Sequence, residues 1–189
     1  MRLVGISGSN GSGKDSIGNL LAERHQWLFV SVTELLRAEA ARRGWPIERD
    51  SLRTISAEWR RKDGLGVLVD RAVEMYEQQK QQYKGLAISS LRNPGEADRV
   101  HELKGMVVWV DANPKVRYDR IYSRQRTAED DKTFEEFLAE EAYEMRQSGD
   151  AATLDMSAVK DRSDIVIINN GNDLDEFTDS ADKQLAPLL

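Results

Sequence analysis

The chain has no cysteine and only two histidines, His25 and His101, far apart in sequence. A disulfide scaffold and thiolate metal sites are therefore excluded, and a histidine-based zinc site or catalytic triad has no basis. The absence of cysteine also fits a reducing compartment. Long apolar runs are missing: none approaches the ~18 residues of a membrane span. The run at Met1–Ser7 is too short for a signal-peptide core. The expectation is a cytoplasmic protein with no membrane partner. A basic excess is missing too. A net charge of −6 argues against a chain that coats nucleic acid. No Asn-Lys-x-Asp segment is present to read guanine, and Gly5-x2-Gly8 lacks the third glycine of a dinucleotide fingerprint.

What remains is globular composition, 40% apolar and 32% charged, over 189 residues that suit a single domain. Arginines gather at 37–61 and 117–126, while acids dominate 128–144 and 173–182. A local basic cluster in an acidic protein suits a small anionic ligand better than a polyanion.

Short apolar runs alternate with amphipathic stretches. Leu3–Ile6, Trp27–Val32, Leu86–Ser89, Met106–Val110 and Ile165–Ile168 read as strands. Helices are predicted after Lys14, from near Thr33 (with Ser31 and Glu34 at capping-box spacing), over Asp50–Arg61 and along Leu65–Tyr76. Others follow Pro114, run over Phe134–Met145, and begin near Leu174. Five strands separated by helices predict an α/β fold, a parallel sheet with helices on both faces. Right-handed crossovers would bring Ser7–Lys14, Ser31–Thr33, Ser89–Pro94 and Asp111–Asn113 to one sheet edge.

The strongest motif is Gly8, Ser9, Asn10, Gly11, Ser12, Gly13, Lys14, Asp15 and Ser16, a Gly-x4-Gly-Lys pattern between a strand and a helix. Glycines let successive N–H groups face inward, the helix N-terminus adds partial positive charge, and Lys14 adds a full one. Such a loop holds the β- and γ-phosphates of a nucleotide. The residue after the lysine is usually Ser or Thr, which binds Mg²⁺; here it is Asp15. Its carboxylate either ligates the metal or merely favours the helix start. Ser16 is given a supporting role near the phosphates.

The sequence resembles the nucleoside monophosphate kinase-like branch of P-loop proteins, including adenylate kinase, dephospho-coenzyme A kinase and phage-type deoxynucleoside monophosphate kinase groups. GSNGSGKDS at 8–16, LLRAEAARRG at 35–44, SSLRNPGEADRV at 89–100 and VDANPKVRYDRIYSRQR at 110–126 carry the likeness. The resemblance implies a three-layer P-loop fold, ATP with Mg²⁺, an acceptor-binding helical region (about 33–84) and a short arginine-bearing lid (about 124–133). It implies phosphoryl transfer to a small phosphate-bearing nucleotide. Arg37 and Arg92 match arginines that meet the acceptor; Arg120, Arg124 and Arg126 match the lid pattern, with Lys14 as their catalytic counterpart. Many relatives carry an acid at the end of strand three, where this chain has Ser89, so Asp15 is expected to be the substitute carboxylate.

Arginine suits phosphoryl transfer because its planar fork bridges two phosphate oxygens and stays charged. Arg117, Arg120 and Arg124 lie at i, i+3, i+7, on one helical face. Arg53 and Arg60 share another; Arg60 is a candidate acceptor contact, with salt bridges to Glu34, Glu48 or Glu58 as the alternative. Residues 127–132 read as a lid or as a rigid loop. Trp45 is either packing or a stacking platform for an acceptor base. Two other functions stay open: a nucleotide-binding regulator without transfer activity, prompted by Asp15 and Ser89, and a polynucleotide end-kinase, which the charge disfavours.

Overall fold

A computed structural model describes residues 1–124, 132–146 and 149–189. Five strands form one parallel sheet: β1 (Arg2–Gly8), β2 (Leu28–Ser31), β3 (Gly85–Ser89), β4 (Met106–Asp111) and β5 (Ile165–Ile168), in the order β2-β3-β1-β4-β5. The predicted sheet is the observed one, with strand ends shifted by a residue or two.

Alternation along the strands divides the core in two. Leu3, Leu86, Ile88, Val107 and Trp109 face one side; Val4, Ile6, Ala87, Val108 and Val110 face the other. The first face is covered by α2 (Val32–Arg43), α3 (Arg49–Asp63), α4 (Val67–Glu77), α5 (Pro94–Glu102) and α8 (Met156–Asp161). The second is covered by α1 (Lys14–His25) and α9 (Leu174–Leu185). Trp109 is fully buried at the centre, where a side chain of its size contributes about 1.5–3 kcal/mol by burial. Helices α6 (Pro114–Arg124) and α7 (Phe134–Glu144) join through an aromatic contact of Tyr118 with Phe134 and Phe137.

Two short helices, α5 and α8, were not expected. Helix α5 starts on a full capping box, with the Asn93 side chain accepting from Gly95 N–H and Glu96 reaching back to the Asn93 amide. The box expected at Ser31 and Glu34 does not form: Ser31 is the N-cap of α2, but its side chain makes no cap bond. Glu34 instead turns to Arg37.

The chain leaves β1 toward β2 on one side and later crosses β1 from β3 to β4 on the other. A crevice opens where the winding reverses, outside the carboxyl ends of β1 and β3. Gly8, Ser89 and Asp111 end their strands there.

Candidate functional site

The phosphate-loop sequence runs from the end of β1 into α1. Gly8, Gly11 and Gly13 have φ of 147°, 78° and 94°, a region L-residues avoid. At Gly13 the fit is tight as well, since a Cβ there would meet the Asn169 amide at 2.6 Å. Gly13 is the N-cap of α1 and offers no side-chain cap, so the first amides of that helix open on the crevice. Ser12 Oγ is fully buried and has no hydrogen-bond partner. An orphaned hydroxyl and an uncapped helix start within one loop fit an anionic group such as a nucleotide's phosphates.

Asp15 and Ser89 meet. The Ser89 Oγ at the end of β3 donates to Asp15 Oδ1 at 2.8 Å. The pair brings a hydroxyl and a carboxylate together at the phosphate loop, hard oxygen groups of the kind Mg²⁺ takes.

Lys14, Asp15 and Ser16 line a cleft of about 360 Å³ that continues between α2, α3 and the loop after β3. Among the described residues, its walls carry six cationic side chains and four carboxylates, a local excess of positive charge in a protein of net charge −6. Arg49, Arg53, Ser56 and Arg60 all reach it from one stripe of α3, at i, i+4, i+7, i+11. That spacing was visible in the sequence, where only Arg53 and Arg60 were singled out.

Arg37 lines the cleft, half exposed and paired with Glu34 at 2.7 Å. Arg92 lines it too, with Nη1 3.0 Å from Glu144 Oε2. Its backbone is pinned on both sides, its N–H donating to Glu96 and its carbonyl accepting from Asp155 N–H. Ser90, two residues earlier, holds φ of 69°, a conformation that costs a non-glycine residue roughly 1–3 kcal/mol.

Arg60 corrects an expectation. It is 3% exposed, and its guanidinium is spent inside the protein. Nε and Nη2 donate to Glu96 Oε1 at 3.0 and 2.7 Å, and Nη1 donates to Ser56 Oγ and the Ala152 carbonyl. None of the three acids expected as alternatives is its partner. Arg60 therefore fastens α3 to the loop that carries Arg92. It positions the site rather than presenting a charge to a ligand.

The helical face proposed for α6 also splits. Arg117 is buried, donating to the Ala112 carbonyl and gripping both oxygens of Glu141 on α7. Arg120 lies over the phosphate loop instead, near the Gly11 carbonyl at 3.4 Å and donating to Asn169 Oδ1 at 3.2 Å and to the Gly171 carbonyl. Arg124 ends α6, but its side chain, Arg126 and nearly all of the expected lid lie outside the described residues. Trp45 does not line the cleft; Arg43 sits over its ring at 5.0 Å, while Ile47 reaches the cleft wall.

Of two further residues near the loop, Asp111 was placed at the sheet edge by the sequence without a role, and Asn169 went unnoticed. Asn169, after β5, donates to the Ser12 carbonyl at 2.8 Å. Asp111 accepts from Ser9 Oγ, the Ala112 amide, Trp109 Nε1 and Lys160 Nζ. Burial opposes its ionisation, but the bonds from Trp109, Ala112 and Lys160 outweigh it and hold the carboxyl below the usual range. Both residues follow unremarkable strands, so only the sheet edge reveals them.

Residues 4–146 match the family described as AAA domain. The chain belongs to that family. The chain is 28% identical over 190 residues to the UPF0200 protein of Pyrobaculum aerophilum, covering 100% of this chain and 99% of that one. Its fold is similar to shikimate kinase from Bacteroides thetaiotaomicron, with TM-score 0.61, 12% identity, and 97% and 98% of the two chains covered. It is also similar to shikimate kinase from Acinetobacter baumannii in complex with shikimate, with TM-score 0.54, 15% identity, and 99% and 94% covered. The chain therefore has the P-loop kinase fold expected from its sequence. Among the described residues, no helix is long and apolar enough to cross a membrane.

Proposed function

We propose that this protein is an ATP-dependent kinase of small phosphate-bearing acceptors, of the nucleoside or deoxynucleoside monophosphate or dephospho-coenzyme A-like class. One observation carries the reading: a single cleft is lined both by Gly13, Lys14 and Asp15 of the phosphate loop and by Arg37, Arg53 and Arg92. A phosphate loop and a separate set of arginines in one space are what transfer between two phosphate-bearing molecules requires. The kinase fold supports the reading.

In this proposal Gly8–Ser16 cradles the nucleotide's phosphates through backbone amides, and Lys14 neutralises charge on the transferring group. Asp15, with Ser89 holding its orientation, and Ser16 would hold Mg²⁺. Bound ATP and Mg²⁺ supply the phosphoryl group and the cation that screens it. Arg120 anchors the loop side, and the helical region 33–84 holds the acceptor, with Arg37 and Arg92 toward its phosphate. The lid at about 124–133, with Arg124 and Arg126 acting in transfer, is what the sequence resemblance implies.

The purified protein is incubated with ATP, Mg²⁺ and a panel of nucleoside monophosphates and coenzyme A precursors while ADP is measured. At least one acceptor is expected to raise ADP well above the acceptor-free rate. No increase with any of them leaves a nucleotide-binding regulator as the better reading.

A further inference from the structure

The acceptor end of the cleft already contains an anion, supplied by the protein itself. Glu144, the last residue of α7, turns its carboxylate between two guanidiniums that come from different elements. Arg53 Nη2 of α3 lies 3.0 Å from its Oε1, and Arg92 Nη1 of the loop after β3 lies 3.0 Å from its Oε2. All three residues line the cleft that holds Lys14 and Asp15. We propose that Glu144 occupies the subsite of the acceptor's phosphate monoester, so that the acceptor binds by displacing it from Arg53 and Arg92. This deepens the kinase reading and rests on it for the word acceptor; the anion subsite itself rests on the geometry.

A purely architectural ion pair looks different, and the same region provides one. Arg60 and Glu96 have side chains 2% and 0% exposed, and both oxygens of Glu96 receive two donors each. By contrast, the Arg53 and Arg92 side chains remain 31% and 27% exposed, and each holds Glu144 through one nitrogen. Arg53 also reaches Asp50 at 3.3 Å, and a guanidinium fork is built to bridge two oxygens of one oxyanion.

Charge also matches. Glu144 is 8% exposed, and burial alone would favour its neutral form, yet Arg92, Arg49 and Arg53 together hold its carboxyl below the usual range. It is therefore a full anion, the same kind of group as the ligand it stands for. Arg49 also meets Glu140 at 2.8 Å and Arg53 meets Asp50 at 3.3 Å, so Glu144 is the carboxylate shared by Arg53 and Arg92, and a phosphate dianion in its place brings two charges to that pair where Glu144 brings one. The neighbouring acids on α7 are committed elsewhere, Glu141 to Arg117 and Glu140 to Arg49 and Lys132. Glu144 bridges Arg53 and Arg92.

The test measures binding of inorganic phosphate to the full chain without nucleotide, by calorimetry at constant ionic strength, with acetate as the monoanion control. An internal anion that fills the subsite nine-tenths of the time weakens apparent affinity about tenfold, so Glu144→Gln is expected to bind phosphate about tenfold more tightly than the parent. The gain should vanish in the double variant Glu144→Gln/Arg53→Gln. Unchanged or weaker phosphate binding by a folded Glu144→Gln overturns the proposal, as does an equal gain for acetate. If Glu144→Gln does not fold, Glu144→Asp, which keeps the charge and shortens its reach, decides in the same way. ATP affinity is measured beside it. A gain in phosphate binding without ATP binding upholds the subsite and sinks the kinase reading; ATP binding without the phosphate gain sinks the subsite and leaves the kinase reading standing.

Discussion

Replacing Glu96 by glutamine removes one charge and almost no volume, yet it should be among the most damaging single changes. Both oxygens of Glu96 are occupied: Oε1 accepts from Arg60 Nε and Nη2 at 3.0 and 2.7 Å, and Oε2 from the Arg92 and Asn93 amides at 2.7 and 3.2 Å. Glutamine must place its NH₂ against one of these donor pairs. Facing Arg60, it leaves a guanidinium 3% exposed without a counter-charge; facing the loop, it opposes two backbone amides and opens the α5 cap. Breaking a buried pair in this way costs about 3–5 kcal/mol. For a domain of this size each 1 kcal/mol moves Tm by about 2–4 °C, so Glu96→Gln should lower Tm by about 6–20 °C in circular-dichroism melts. Replacing both partners, as in Arg60→Met/Glu96→Leu, leaves no orphaned charge and should cost less than the single change. A Tm loss below about 2 °C for Glu96→Gln, or a double variant worse than the single, refutes the reasoning. Because Arg60 and Glu96 join α3 to the Arg92 loop, the same variant should weaken anion binding in the cleft more than ATP binding.

Lys14→Ala should abolish transfer while leaving the melting curve close to that of the parent, since Lys14 lines the cleft rather than the core; substantial residual turnover would exclude its proposed role. Arg120→Ala should cut kcat about 10²-fold or more and ATP affinity much less, and equal losses in the two would make Arg120 a simple binding residue. Asp15→Asn should raise the Mg²⁺ concentration needed for half-maximal ATP binding by about tenfold, with Ser89→Ala causing a smaller shift; an unmoved Mg²⁺ midpoint removes the metal role from this pair. In acid, Glu144 should contribute to unfolding. Its carboxyl is held below the ordinary 4.5, so its stabilisation is full above that pH and is lost as pH falls toward the lower folded value. Thermal melts from pH 6 to pH 3 should therefore show a shallower loss for Glu144→Gln than for the parent, and parallel curves would contradict the shift.

Much of the fold was legible because its rules are local or periodic. Leu86–Ser89 and Met106–Val110 are short apolar runs flanked by turn residues, and such runs between amphipathic helices pack as a parallel sheet. Helix α5 was missed although Asn93-Pro94 and Glu96 spell its capping box; the segment was read for its arginine rather than for its helix start. Arg60 was misplaced because a helical face says where a side chain points, not what stands opposite. Its partner Glu96 is 36 residues away, and the alternatives weighed were nearer in sequence.

The sequence by itself determined the phosphate loop, since glycine torsions, inward amides and a lysine at the start of a helix are properties of consecutive residues. It also determined the sheet and the abundance of arginine on one side of the chain. Tertiary structure alone decided what those arginines do. Arg53 and Glu144 are 91 residues apart, and Asp15 and Ser89 are 74 apart. Whether a guanidinium is sealed in a core or offered to a cleft depends on which carboxylate the packing of α3, α7 and the β3–α5 loop brings within 3 Å, and charge attraction at that range carries no trace in the spacing of residues along the chain.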